Sequence, residues 1–310
     1  MKRSLTLLAA LSLSAAPFAA AYAQDITGGA TLGYGFSDIS DLDLDVDTLT
    51  FDGRIKVDVG NGISFGARLD AARIDIDGAP DTIGASVIGA DVAYAFGNGF
   101  SFGVYAEQGK ITTDMLPLDI TLTSYGVSGG YAFAKGDVSA FVGVSDTSPD
   151  LPGNVDIHDF GIAGKYAPMQ NLVLAGAFTR TTVSIPGDDM DLDFLGVAAA
   201  YDMTPNWTVF AGYANSSIDF GGLDADLDSY GIGVSYDTSA LIKVNSFASL
   251  ELARTDLSVD GMGDGDMDTV RIGLTFPIGG MGTKVPMNSV ADAIMNPAHS
   301  AVSQTVLAAF

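Results

Sequence analysis

The sequence predicts an all-β fold, a transmembrane antiparallel up-and-down β-barrel of about 14 strands with short turns at one rim and longer acidic loops at the other. Three observations predict it. Apolar and polar residues alternate with a period of two from Asp25 to Phe276, Gly- and Asn-rich turns recur roughly every 35 residues, and aromatic residues gather at two levels along the strands. Composition agrees with this and excludes other classes. The 310 residues are 47% hydrophobic, too apolar for a disordered chain, yet 38 acids stand against 14 bases, and a net charge of -24 excludes a nucleic-acid partner. All the acids except Glu107 and Glu251 are aspartate, a residue of turns and loops. With no Cys, thiolate metal sites and thiol nucleophiles are excluded, and only 2 His argue against a multi-histidine site.

The first element, residues 1–23, has the layout of a secretory signal peptide. Lys2 and Arg3 precede the apolar run Leu5 to Leu13, and Ala21-Tyr22-Ala23 offers small residues for cleavage near Ala23. The body, residues 24–276, follows as tandem hairpins. Val57, Val59, Ile63, Phe65 and Leu69 interleave with Lys56, Asp58, Ser64, Arg68 and Asp70, and the turn segment Val59 to Gly66 recurs as Phe96 to Gly103. A second turn pattern begins at Tyr166 and again at Tyr201. Between the short turns lie acidic connections, Ser37 to Asp47 and Phe220 to Asp228 among them. An even number of strands lets the first pair antiparallel with the last, and closure satisfies every backbone polar group in lipid.

Aromatic placement separates a membrane barrel from a soluble sandwich. Tyr94, Phe96, Phe100, Tyr131, Phe133, Tyr166, Tyr201, Trp207, Tyr236, Phe247 and Phe276 flank the short turns, and Tyr34, Tyr125, Phe160, Phe178, Phe194, Tyr213 and Tyr230 recur toward the acidic loops, as two interfacial girdles require. The opposite face is small and polar, as in Ser229-x-Gly231-x-Gly233-x-Ser235, which suits a lumen better than a packed core.

At this point the resemblance is to Gram-negative outer-membrane porins, carried by the signal peptide, the tandem hairpins with Gly-Asn-Gly turns, the acidic loops and the strand Asp268 to Phe276 ending in an aromatic. The resemblance implies passive diffusion of ions and small hydrophilic solutes across the outer membrane, in contact with its lipid and lipopolysaccharide. It also implies short turns in the periplasm, longer loops outside, and a homotrimer. The sequence departs from general porins in lacking a loop long enough to fold inward as a constriction.

On the presumed lumen wall, a three-residue loop at Gly60-Asn61-Gly62 sets Val59 opposite Ile63, Arg54 opposite Arg68 and Asp52 opposite Asp70, with Arg54 diagonal to Asp70 and Arg68 to Asp52. Lys56 extends this stripe, and Asp91, Glu107, Lys165, Glu251 and Arg271 fall mid-strand on the same face. Such charges belong in the lumen, because Arg or Lys facing lipid at the midplane costs about 2–4 kcal/mol. They form either a wall that orients solutes or a salt-bridged patch that keeps the wall hydrated. The acidic rim predicts weak cation selectivity. No resident cofactor is expected. The one cation reading is loop-bound calcium at Asp41, Asp43, Asp45 and at Asp224, Asp226, Asp228, whose alternate side chains point one way. Val46 stands where an EF-hand needs glycine, so a solvated, self-repelling rim is the favoured reading.

No enzyme is expected. The outer-wall alternative would need His158 to converge with Ser145 or a nearby Asp on the lipid face. The tail, residues 277–310, reads two ways. Asn296-Pro297 could cap a helix carrying Ala298, Ala301, Val302, Thr305 and Ala309, as a lumen plug or a periplasmic segment. Alternatively Val302, Gln304, Val306, Ala308 and Phe310 alternate as a terminal strand, giving 16 strands with Met281 to Val290. The functions carried forward are a diffusion channel and a non-conducting structural or adhesive barrel.

Overall fold

Period-two alternation produces strands throughout the body. The structure, a computed structural model, describes residues 25–40, 44–78, 82–113, 119–151, 155–186, 188–220, 223–261, 263–279 and 283–309. The signal-peptide segment 1–23, with Asp41, Asp43 and Phe310, lies outside the described residues. In order the strands are β1 (Asp25–Ile39), β2 (Leu44–Gly60), β3 (Ile63–Ile76), β4 (Thr82–Ala95), β5 (Phe100–Thr113), β6 (Ile120–Phe133) and β7 (Gly136–Ser148). They continue with β8 (Asp156–Met169), β9 (Leu172–Ile185), β10 (Asp188–Thr204), β11 (Trp207–Phe220), β12 (Leu223–Asp237), β13 (Phe247–Val259) and β14 (Gly263–Ile278). Each pairs antiparallel with its sequence neighbours, and β1 pairs with β14 from Gly28↔Ile278 to Ile39↔Met267, closing the cylinder. Among the described residues there are also three short helices: α1 (Ser239–Ile242) in the β12–β13 turn, α2 (Val290–Met295) and α3 (Ala301–Ala309).

The outward face is apolar. Leu32, Phe65, Ile88, Phe102, Val142, Leu195, Val197, Leu252 and Ile272 are all exposed, and Ile232 is 65% exposed, a surface that hydrocarbon covers and water would not tolerate. Aromatic pairs ring both ends of this band. Phe100 with Tyr131 and Trp207 with Tyr236 sit beside short turns, at ring-centroid distances of 4.7 and 4.6 Å, while Tyr34–Phe36 and Tyr213–Tyr230 sit toward the acidic rim. The strands outrun the hydrocarbon. A 14-residue strand such as β4 tilted about 45° rises about 33 Å, against an apolar band of about 25 Å. The excess carries outward ion clusters at the acidic rim. Arg180 meets Asp191 and Asp193, Arg254 meets Asp256, Asp266 and Asp268, and Arg73 meets Asp75.

The structure refines three expectations. At the first short turn Gly60 (φ 84°), Asn61 (φ 54°) and Gly62 (φ 82°) are all left-handed, so Gly60 pairs with Ile63 and the register shifts past Val59. The deeper pairs Arg54↔Arg68 and Asp52↔Asp70 stand as the sequence sets them. Second, the acidic connections are shorter than the sequence segments, because alternation carries the strands into them: Asp38 faces Asp45 across β1–β2. Third, the 16-strand alternative fails. Residues 290–295 and 301–309 are helical, and the barrel closes with 14 strands.

Candidate functional site

Strand pairing and burial put all ten predicted wall residues, Asp52, Arg54, Lys56, Arg68, Asp70, Asp91, Glu107, Lys165, Glu251 and Arg271, on the inward face. Lys56 is exposed toward the short-turn mouth, and Asp91 lies against Gly66, where any Cβ would collide with its carboxylate. The others surround a segment that the sequence left ambiguous. Residues 283–309 turn back from the end of β14 into the lumen, and α2 and α3 pack there against β8 to β12.

Local sequence explains both helices. The Ser289 hydroxyl caps α2 by accepting from the Asp292 N–H at 3.1 Å, and the Ser300 hydroxyl accepts from the Ser303 N–H at 3.2 Å at the start of α3. Asn296-Pro297 lies between the helices, so the second helix begins later than the Asn-Pro signal suggests. The wall is shaped to receive α2. A Cβ on Gly212 would meet the Ala291 nitrogen at 2.8 Å, one on Gly231 would meet Val290 at 3.0 Å, and one on Gly196 would meet Ile294 at 2.6 Å. Phe194 and Phe247 do not join the girdles as the sequence suggests, because strand parity turns both inward, where they are buried; Phe194 and Phe210 join Val290, Ala291 and Ile294 in one apolar cluster. The small residues that seemed fit only for a wet lumen are therefore the floor of a docking groove.

Charged side chains hold the segment from the remaining strands. Arg54 pairs with Asp292. Arg68 donates to the Asn296 and Pro297 carbonyls at 3.4 and 3.1 Å and holds Asp70 at 2.8 Å. The Lys165 ammonium donates to Asn296 Oδ1 at 2.8 Å, and Lys284 meets Asp202 at 2.8 Å near the end of β10. The Glu107 carboxylate accepts from the His299 backbone at 3.2 Å and lies 3.2 Å from Nδ1 of a ring stacked on Tyr105. Arg271 bridges Glu251 at 3.1 Å and the Ala309 carbonyl at 2.7 Å, while Glu251 accepts from the Val290 N–H at 3.2 Å. Burial pushes the Asp292 carboxyl above its ordinary range, with Arg54 and Lys165 working against that rise.

The expected diagonal pairs are not the ones made. Arg68 takes Asp70 on its own strand, and Arg54 takes a partner on the returning segment. Between α3 and the β2 to β4 wall a crevice remains, lined by Thr50, Asp52, Asp70, Ser86, Asn288 and Leu307 among others. One carboxylate oxygen each of Asp52 and Asp70 has no hydrogen-bond partner, nor does the Thr50 hydroxyl. His158 points outward opposite Val144, whereas Ser145 points inward and donates to Asp159, so the two do not converge. Asp45, Asp224, Asp226 and Asp228 lie in strands, and among the described residues no group of three or more His, Cys, Asp or Glu could hold a metal ion.

Residues 75–221 match the model of a family described as Gram-negative porin. No curated protein matches the sequence. Among solved structures, an anion-selective porin from Comamonas acidovorans is 12% identical, with 82% of this chain and 98% of that chain covered and a TM-score of 0.51. The trimer form of the outer-membrane protein OmpT of Vibrio cholerae is 14% identical over 82% of this chain and 98% of that one, with a TM-score of 0.48. OccK5 of Pseudomonas aeruginosa is 9% identical over 84% and 100%, with a TM-score of 0.42.

Proposed function

We propose, from the premise that this chain is an outer-membrane β-barrel of the Gram-negative porin type, that it is a passive, weakly cation-selective pathway for ions and small hydrophilic solutes. The observation that carries the reading is the inward face. Ionisable side chains from seven strands project into a closed cylinder, a costly arrangement in lipid that makes sense around a hydrophilic path. The ten wall charges are five acids and five bases, Asp159 and Asp202 add further inward acids, and selectivity falls to this excess, to the acidic rim and to the crevice beside Asp52 and Asp70. The Comamonas neighbour's anion selectivity is that protein's own, since so distant a likeness extends to the fold alone.

Planar-bilayer recording in a KCl gradient tests the proposal. The reversal potential should favour potassium modestly, and Asp52→Asn with Asp70→Asn should move it toward zero. A potential favouring chloride in the parent protein would overturn the selectivity. A homotrimer embedded in lipid and lipopolysaccharide belongs to the same proposal, and native mass spectrometry of detergent extracts showing monomer alone would count against the trimer. The second reading, a non-conducting structural barrel, draws on the segment filling the lumen. Silence under every condition, including release of that segment, would support it.

A further inference from the structure

We propose that residues 285–309 are a displaceable plug, which closes the pathway when docked and opens it by withdrawing through the short-turn mouth. This rests on the channel reading above. The barrel does not need the segment for its integrity: every strand is hydrogen-bonded on both sides, and β1 meets β14 without its help. The segment follows directly from the short-turn end of β14, which makes that mouth its way in and out.

Docking is specific. Gly196 and Gly212 leave room that α2 fills, and Gly231 leaves room shared by Val290 and the Glu251 carboxylate, so the wall carries a matched seat. Docking is also lopsided. The helices make most of their contacts with β8 to β12, while a crevice remains between Val306 and Leu307 of α3 and the β2 to β4 wall, so the packing is closer on one side than on the other. Beyond the seat, charge-assisted contacts from Arg54, Arg68, Lys165, Glu107 and Arg271 on separate strands hold the segment, with hydroxyl contacts from Thr31, Thr181 and Ser216. These contacts are buried when docked, and once the segment withdraws water and ions hydrate the same groups on the emptied wall, which offsets part of the loss. The helices of 6 and 9 residues are too short to persist alone, so release also restores chain entropy. Two opposed states follow, an ordered docked one and an undocked one with a hydrated wall.

The chain contains no cysteine, so an engineered pair reports by itself. Thr305 Oγ1 lies 2.9 Å from Ser216 Oγ, close enough for Ser216→Cys with Thr305→Cys to form a disulfide across the docked contact. The full chain carrying this pair should be silent in planar bilayers when oxidised, and reduction should raise mean conductance at least about tenfold. Asp292→Asn in the cysteine-free chain should lengthen open periods. Equal conductance in the oxidised and reduced states would overturn the plug and leave the channel standing. Silence in both states and in Asp292→Asn would overturn the channel and the plug together. Labelling of the single variant Thr305→Cys by a bulky maleimide gives a readout independent of current. Label should enter slowly over time, and complete protection of a conducting protein would also overturn the plug.

Discussion

At the scale of single residues, the glycines of the β10 to β12 wall decide how closely the returning segment can approach. Gly212→Val would push side-chain atoms into the Ala291 backbone, and overpacking of this kind typically costs about 1–3 kcal/mol. The expected outcome is faster amide exchange in α2 with unchanged strand content by circular dichroism. Asp292→Ala acts through charge instead. It strands the Arg54 guanidinium on a partly buried wall, and breaking a buried pair from one side costs about 3–5 kcal/mol. The same exchange measurement should show protection lost in α2 but kept in β2. The sequence placed Arg54 on the correct face and opposite the correct residue, because hairpin counting fixes both. It could not show the pairing, since Asp292 lies far along the chain and reaches Arg54 only when the tail folds back.

At the scale of elements, the strands are legible throughout and the tail helices in part: a helix through Ala301, Val302, Thr305 and Ala309 is readable, its start and α2 are not. A strand needs only alternation and a turn, and Gly60-Asn61-Gly62 supplies the turn with three left-handed residues. Asn61→Val should therefore weaken the β2–β3 hairpin by about 1–2 kcal/mol, the cost of a side chain at positive φ, and slow refolding should reveal it. The stretch from Val302 to Phe310 fits a period of two as well as one of nearly four, and only its low aromatic content and Pro286 weigh against a strand. Tertiary contacts decide: Thr181 accepts from the Ala301 N–H at 2.9 Å, and Thr305 donates to Ser216 at 2.9 Å. Both partners are inward hydroxyls that read in the sequence as ordinary lumen polarity. The acidic segments were misjudged in length for a related reason. Alternating Asp residues satisfy the strand pattern as well as the loop composition, and pairing extends the strands through them.

At the scale of the whole molecule, the design is a cylinder whose neighbours in space are neighbours in sequence, with one exception. Every ladder but one is a local hairpin, while the seam joins β1 to β14 across nearly the full length of the body. Long-range pairing of this kind forms late. Until the seam is made, the sheet carries two bare edges with unpaired amides, each able to capture a strand from another copy. Crowding before sealing, rather than weakness afterwards, should therefore limit the yield of refolded material. Refolding into detergent at high dilution should recover far more monodisperse protein than refolding at high concentration, and once sealed the material should resist later concentration.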